Sequence, residues 1–335
     1  MKLILFILSF LVGVVSAQEL APKNGTTPTH VVCYALKNAT IVISPTLTIE
    51  KGTLLVKGDK ILEVGKLVKI PKDAIEIDCE GKIILPSFIE VNSNIGLPAP
   101  TGTHSFFPQL ESNKKGAFHW NESIRPETDA SQLYTFNEKA NEELLKMGFG
   151  LVSTHVQDGI MRGTGALFSL GTKNYNKQLI LPQSAAYFSF KNGVSNQTYP
   201  SSQMGSIALI RQTFYDLNWY QTTTNRETNI SLDALAVQLQ KPLLFHTDDK
   251  LEILRAQKIA SEFGQTYHFI GSGNEYQIIP ELKKLKGNFI LPLNFPNAYD
   301  VKDPYIARQI PLSELKHWEL APSNPYLLKK EGLKL

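Results

Sequence analysis

The stretch "ILPSFIEVNSNIG" (residues 84–96) places two polar side chains, Asn92 and Asn94, at the end of a predicted buried strand. Side chains at positions i and i+2 of a strand point to the same face of its sheet. At a strand end that opens into a pocket, such a pair is placed to bind a metal ion. A carboxamide oxygen is a much weaker zinc ligand than an imidazole nitrogen. A pair of asparagines at such a position would therefore bind zinc only weakly.

Two further strand ends carry residues that could complete such a site. His246 ends "PLLF" and is followed by Asp248 and Asp249, and His155 ends "LVSTH" with Asp158 three residues later. His246 could be a metal ligand or a barrel histidine that hydrogen-bonds locally. His155 and Asp158 could supply a ligand or form a polar junction between a strand and a loop. Asp249 could reach the site or act as the N-cap of the next helix. The sequence leaves these alternatives open.

The elements that would position these residues alternate between strand and helix. Helices are predicted over residues 131–147, with Ser131 or Asp129 as cap, over 250–264, and over 274–287. The runs "GFGLVSTHV", "PLLFHTDD", "QTYHFIG" and "NFILPLN" predict strands between them. This order predicts parallel strands joined by crossover helices. Residues 157–230 read as long loops around one strand, "QLILPQSAAYFSF", and long loops after parallel strands commonly build sites.

The segment before these elements has a different pattern. Residues 30–84 contain short β-branched runs separated by Asn, Gly-Asp and Pro-Lys-Asp turns, which predicts a small antiparallel β-domain. The turn at residues 57–60 predicts a hairpin in which Gly58 takes a positive φ. The only two cysteines, Cys33 and Cys79, both fall in this domain. They could form a disulfide or remain two separate buried thiols.

Composition and the amino terminus restrict the classes of function. The 335 residues are 42% hydrophobic and 19% charged, with a formal net charge of +3. The sequence has no long basic run, which argues against nucleic acid as the main partner. Residues 1–17 have the charged start, apolar run and small-residue cleavage site of a signal peptide. Residues 18–29 read as a linker. We therefore expect a secreted or periplasmic protein with no membrane span after removal of the signal peptide.

The sequence resembles the amidohydrolase superfamily. The run "LLVKGDKILEVGKLVKIPKDAIEIDCEGKIILPSFIE" is similar to the segment that leads into the first barrel strand of that superfamily. The run "KPLLFHTDDKLEILRAQKIASEFG" resembles the fifth strand and helix of its imidazolonepropionase-like branch. The resemblance implies an α/β fold, an incomplete (β/α) TIM-type barrel over residues 85–335 preceded by a small β-sandwich domain over residues 30–84.

The resemblance also implies what the site would contain. Members of the superfamily bind one or two divalent metals, often zinc, through a His-x-His pair on the first strand and further His and Asp residues on later strands. The metal activates a water for hydrolysis of C–N bonds. Here Asn92 and Asn94 stand at the His-x-His positions and His246 at the strand-five position, while Gly271, Ser272 and Gly273 stand where the strand-six histidine is expected. The strand-eight Asp is not found, and the resemblance implies an N-terminal fragment of a longer protein.

Two functions from different classes follow. The first is a metal-dependent hydrolase of non-peptide C–N bonds in small amides, with His246, and His155 as a substitute, among its ligands. The second is a catalytically degenerate domain that binds no metal and either binds a ligand or supports a partner catalytic barrel, in the same longer protein or in an oligomer. A third possibility, a carbohydrate- or peptide-binding module, depends on Trp120, Trp219 and Tyr220. The residues favour the second function for this chain.

Overall fold

The computed structural model describes residues 31–102, 108–171 and 175–335. It divides into two compact units at Pro86/Ser87. The predicted signal peptide and linker lie outside the described residues. Among the helices in the described ranges, none combines the length and the apolar character needed to cross a bilayer.

The described part of the first unit is one five-stranded sheet. Its strands are β1 (Cys33–Ser44), β2 (Leu47–Lys57), β3 (Lys60–Gly65), β4 (Ile75–Asp78) and β5 (Ile83–Ile84). The predicted hairpins are confirmed, since β1, β2 and β3 pair antiparallel and Gly58 has φ +64° in the second turn. The sheet is nevertheless mixed, because β4 and β5 run parallel to β1. A two-residue turn forces antiparallel pairing, whereas the longer segment after β3 lets the chain cross to the far side of β1.

The two cysteines of this unit are buried and free. Cys33 packs with Ala35 and Leu55 in one apolar cluster, whereas Cys79 packs with other residues in a second cluster. The Cys79 amide donates to the Lys37 carbonyl at 2.8 Å, four residues along β1 from Cys33. At about 3.3 Å per strand residue, that offset of roughly 13 Å exceeds the roughly 7 Å limit for a disulfide. The structure thus favours two separate thiols.

The second unit contains two sheets. Its strands are β6 (Phe88–Ser93), β7 (Phe149–Thr154), β8 (Met161–Thr164), β9 (Ala166–Ser169), β10 (Leu179–Leu181), β11 (Ala186–Ser189), β12 (Leu243–His246), β13 (Tyr267–Ile270) and β14 (Phe289–Ile290). The sheet orders are β10-β9-β7-β6 and β14-β13-β12-β11-β8. Only Gly165 separates β8 from β9, so the chain passes there from one sheet to the other. The predicted parallel pairing is confirmed for β6 with β7 and for β11 through β14.

Helices pack against both sheets of the second unit. They are α1 (Ala130–Leu133), α2 (Glu138–Lys146), α3 (Tyr175–Gln178), α4 (Gln203–Thr222), α5 (Ile230–Gln238), α6 (Lys250–Glu262), α7 (Ile279–Leu282), α8 (Pro304–Gln309), α9 (Leu312–Leu320) and α10 (Asn324–Lys330), with 3-10 turns at Glu275–Ile278 and Ala321–Ser323. The main core lies between these helices and the strands, with Phe188, Phe245 and Phe269 side by side on neighbouring strands. The opposite face carries a smaller cluster that includes Tyr187 and Leu244. Alternate strand residues thus supply the two faces.

The predicted helices are partly confirmed. The helix predicted over residues 250–264 is α6, capped by Asp249 and followed by Gly264 with φ +66°. The helix predicted over 131–147 is two helices, capped by Asp129 and Asn137. The second cap interrupts the run because the Asn137 side chain accepts from the Ala140 amide and starts a new helix. The strand predicted within 178–190 is likewise two strands, β10 and β11.

Candidate functional site

A cavity of about 940 Å³ lies at the ends of β12, β13 and β14 and along β6. Its lining residues are Phe88, Ile89, Glu90, Val91, Asn92, Phe149, His246, Thr247, Asp248, Ile270, Gly271, Ser272, Ile290, Leu291, Pro292, Leu293 and Asn294. Parallel strands place their carboxyl ends on one edge of a sheet, which is where α/β proteins build their sites. The cavity therefore lies at the strand ends where the predicted site residues are expected.

The two asparagines of the predicted metal pair are not brought together. Asn92 lines the cavity, and its Oδ1 accepts from Gln157 Nε2 at 3.3 Å. Asn94 is exposed and lies one residue past the end of β6, where its carbonyl accepts from the Leu97 amide at 3.1 Å and starts a turn. It is not part of the cavity wall. The strand ends at the buried Ser93, so the i, i+2 rule no longer applies to Asn94.

His246 is the last residue of β12 and lies on the cavity wall. Its Nδ1 is buried and has no hydrogen-bond partner among the described residues. Burial lowers the pKa of His246, and the positive charge of Arg162 lowers it further, while Asp248 acts in the opposite direction. His246 is therefore a neutral imidazole near neutral pH, with one ring nitrogen that no described group satisfies.

His155 follows β7 and is 1% exposed. Its ring stacks on Tyr187 with centroids 3.6 Å apart and planes 7° from parallel. Neither ring nitrogen has a hydrogen-bond partner among the described residues. Burial, followed by the charges of Arg162 and His246, lowers the pKa of His155 well below its usual range. The residue is not on the cavity wall, but it shares its electrostatic environment with His246.

The carboxylates near these histidines are held by other partners. Asp158 forms a buried ion pair with Arg125 and accepts from the Val194 amide at 2.8 Å. Asp249 caps α6 by accepting from the Leu251 amide at 2.7 Å. Asp248 lines the cavity and pairs with Lys191 Nζ at 2.9 Å. Two of the three candidate acids are thus committed to structural contacts away from the cavity.

The end of β13 contains a buried carboxylate that sequence reasoning missed. Glu275 is 0% exposed, and its carboxylate accepts from the amides of Ser272 at 2.6 Å and Gly273 at 3.1 Å and from Asn324 Nδ2 at 2.7 Å. A Cβ on Gly271 would lie 2.3 Å from Glu275 Oε1. Any side chain at position 271, including the histidine that the resemblance leads one to expect there, would collide with this carboxylate.

Arg162 on β8 is a second residue that sequence reasoning missed. It is 4% exposed, and its guanidinium donates to two neutral acceptors, the Gly159 carbonyl at 3.0 Å and Ser189 Oγ at 2.9 Å. Burial lowers its pKa to about 10. The signal in the sequence was one arginine inside the otherwise apolar and small run "GIMRGTGALF". We call Arg162, His155 and His246 the polar centre.

The donor set does not fit the zinc that the superfamily implies. Zinc sites use three or four His, Cys or carboxylate ligands. The cavity wall offers one histidine, His246, together with Asp248, which pairs with Lys191, and Glu90, which accepts from the Asn92 amide. Within residues 31–102, 108–171 and 175–335, no three His, Cys, Asp or Glu side chains are grouped so as to hold a metal ion. Glu275 and Asp158 cannot join them without breaking the hydrogen bonds described above.

The aromatic residues of the third functional possibility do not form a platform. Trp120 is half exposed, but its ring lies between His119, at 5.4 Å, and Tyr199, at 6.1 Å. Tyr220 is buried, and Trp219 is exposed on α4.

No family model and no curated protein matches the sequence. Among solved structures, an amidohydrolase from Thermotoga maritima MSB8 aligns with a TM-score of 0.64 at 21% identity, over 90% of this chain and 76% of its own. The chain has the amidohydrolase fold. A prolidase complexed with N-methylphosphonate-L-proline aligns more weakly, with a TM-score of 0.42 at 13% identity, over 90% of this chain and 77% of its own. A D-hydantoinase from Thermus sp. aligns with a TM-score of 0.28 at 13% identity, over 77% of this chain and 51% of its own.

The alignment confirms the resemblance that the sequence motifs indicated, at the level of the fold. Identity of this size does not carry an activity, because one fold supports many functions. At the end of β13 the structure has the buried carboxylate of Glu275, where the sequence resemblance predicted a histidine ligand.

Proposed function

We propose that this chain is a catalytically degenerate amidohydrolase-fold domain that does not carry out metal-dependent hydrolysis. In this proposal residues 85–335 form an incomplete TIM-type barrel, and residues 30–84 belong to the small β-sandwich domain that precedes it. The domain acts as a ligand-binding or supporting unit for a partner catalytic barrel, either in the same longer protein or in an oligomer. Residues 1–17 direct the protein to the periplasm or the exterior.

The observation that carries the proposal is the carboxylate of Glu275. Four of its oxygen contacts, from Ser272, Gly273 and Asn324, lie between 2.6 and 3.1 Å. A buried charged hydrogen-bonding network of this kind is expensive to open. A metal ligand at the end of β13 would require these hydrogen bonds to the Glu275 carboxylate to break. Asn94 would also have to move from its exposed turn to the cavity wall.

The competing function is hydrolysis of non-peptide C–N bonds in small amide substrates. The free ring nitrogen of His246 on the cavity wall favours it, because that nitrogen could bind a metal. The competing function needs at least two more ligands, and the nearby carboxylates already have partners.

Metal content separates the two functions. The full chain is equilibrated separately with zinc, manganese and cobalt, passed through gel filtration, and analysed by inductively coupled plasma mass spectrometry. We expect well below one metal per chain for each ion. His246→Ala is compared with His317→Ala, which removes a histidine from α9. One zinc per chain that His246→Ala abolishes and His317→Ala retains would contradict the proposal.

A further inference from the structure

The polar centre carries a positive charge that no described carboxylate neutralises. The Arg162 guanidinium is buried and donates to the neutral Gly159 carbonyl and Ser189 Oγ. The two carboxylates whose charge reaches it, Asp158 and Asp248, are each already paired, with Arg125 and Lys191. A buried charge without a counter-charge is unfavourable in a medium of low dielectric constant. The arrangement is therefore incomplete as it stands.

Three unsatisfied imidazole nitrogens accompany this charge. They are Nδ1 and Nε2 of His155 and Nδ1 of His246. A neutral imidazole has one donor and one acceptor nitrogen, and buried polar atoms in proteins are nearly always bonded. An acceptor-rich anion would take hydrogen bonds from such rings, and its charge would compensate the guanidinium.

The cavity gives a ligand access to this charge at one point. His246 lies on the cavity wall and experiences the charge of Arg162. Ser272, on the neighbouring strand end, supplies a hydroxyl on the same wall.

One carboxylate on the wall is Glu90, which is on β6 and accepts from the Asn92 amide at 2.9 Å. Asp248, just after the end of β12, also lines the wall, but Lys191 Nζ at 2.9 Å offsets its charge. Because no described cation pairs with Glu90, we place the anion beside β12 and β13.

We propose that the cavity binds the oxyanion group of a small ligand, a carboxylate or a phosphate, at His246 with Arg162 as the buried counter-charge. This inference rests on the proposed function, because a metal at His246 would occupy the same nitrogen. The site takes the anion directly on the protein, without a metal bridge. Apolar side chains of Ile270, Ile290 and Leu291 line the adjoining space and fit the apolar body of an organic acid.

Isothermal titration calorimetry of the EDTA-treated full chain tests this inference. Inorganic phosphate and sodium acetate are the two probes, at an ionic strength held constant with chloride. We expect saturable binding of at least one of them, and the stronger probe distinguishes a phosphate from a carboxylate ligand. Arg162→Gln is expected to weaken binding roughly tenfold or more. The control Arg211→Gln removes an exposed arginine that pairs with Glu262 and is expected to leave binding unchanged.

A second measurement does not depend on the folding of a variant. In the wild-type chain, the imidazole NMR signals of His246, assigned with His246→Ala, are followed during the same titrations. They are expected to shift with the calorimetric saturation, while those of His317 stay in place. Absence of saturable heat and of any His246 shift would overturn the inference, as would equal affinity in a folded Arg162→Gln protein.

Adding zinc separates failure of this inference from failure of the proposed function. Binding in EDTA-treated protein supports both. Binding that appears only after zinc is added overturns both, because the metal then holds the anion. No binding in either condition, together with no bound zinc, overturns the anion site alone.

Discussion

The carboxyl ends of β12 and β13 lie side by side, with His246 paired in register with Ile270, and they are built in opposite ways. The first ends in a histidine on a cavity wall whose Nδ1 has no partner among the described residues. The second continues into Gly271, whose missing side chain leaves room for the Glu275 carboxylate.

The two strand ends therefore differ in what their polar groups do: one lies on the cavity wall, and the other is bonded within its own chain. At β12 the strand end still presents a polar group to a ligand. At β13 the backbone amides after the strand have turned inward and bind a carboxylate from their own chain. The end of β13 thus holds a structural carboxylate at the place where the resemblance predicts a metal ligand.

The largest expected effect comes from removing the carboxylate at β13. Glu275→Ala leaves the Ser272 and Gly273 amides and Asn324 Nδ2 buried without an acceptor. We expect the free energy of unfolding to fall by about 3 kcal/mol or more, measured by urea denaturation.

The control for that variant is Glu262→Ala, which removes a partly exposed carboxylate paired with Arg211. Surface pairs contribute about 1 kcal/mol or less. Equal losses of stability in the two variants would show that the hydrogen bonds of Glu275 contribute no more than a surface ion pair.

A smaller effect is expected from adding one carbon at position 271. The Cβ of Gly271→Ala would lie 2.3 Å from Glu275 Oε1, whereas that of Gly171→Ala would meet only Ser169 Oγ at 4.0 Å. We expect about 2 kcal/mol of destabilisation for the first and about 0.5 kcal/mol or less for the second.

The double variant Gly271→Ala with Glu275→Ala sharpens this test. Once the carboxylate is absent, the added carbon has nothing to displace, so the two effects should not add. Simple additivity would show that the alanine at 271 acts on something other than Glu275.

Part of the fold was predictable, because it follows from local patterns. Residues 157–230 were not: they were predicted as long loops around one strand, and they contain β8, β9 and the long helix α4. Alternating strand and helix periodicity gives the parallel strands β11 to β14, and Asp249 with Gly264 marks the ends of α6. Of the two asparagines in the motif, Asn92 lies on the cavity wall and Asn94 does not. Each of these predictions uses residues that are neighbours in the sequence.

The rest of the site depends on contacts between distant residues. Glu275 accepts a hydrogen bond from Asn324, 49 positions away. Arg162 donates to Ser189 at the end of β11, 27 positions away. The outward turn at Asn94 depends on where β6 stops pairing with β7, and no residue type in the motif signals that point.

The last prediction concerns His155 in the polar centre and the pH dependence of the free energy of unfolding. The pKa of His155 is held well below its ordinary value of 6.5 in the folded chain, first by burial and then by Arg162 and His246. Below pH 6.5 the unfolded chain therefore binds a proton that the folded chain does not. Stability should fall as pH drops from 6.5 towards the depressed pKa, by up to about 1.4 kcal/mol per pH unit.

Urea denaturation at pH 7.5 and pH 5 measures this decline. His155→Gln removes the titrating group, so its stability should fall less between the two pH values than that of the wild type. Parallel profiles for the two proteins would show that His155 already has a proton-accepting partner in the folded chain.

The most direct test of the difference between the two strand ends is a crystal structure of zinc-soaked protein with anomalous data at the zinc edge. We predict no anomalous peak within bonding distance of His246, about 2.0–2.1 Å for zinc–imidazole, and a Glu275 carboxylate still bonded to Ser272, Gly273 and Asn324. A zinc peak on His246 with Glu275 or Asn92 as a further ligand would contradict the proposal that this chain does not bind a catalytic metal.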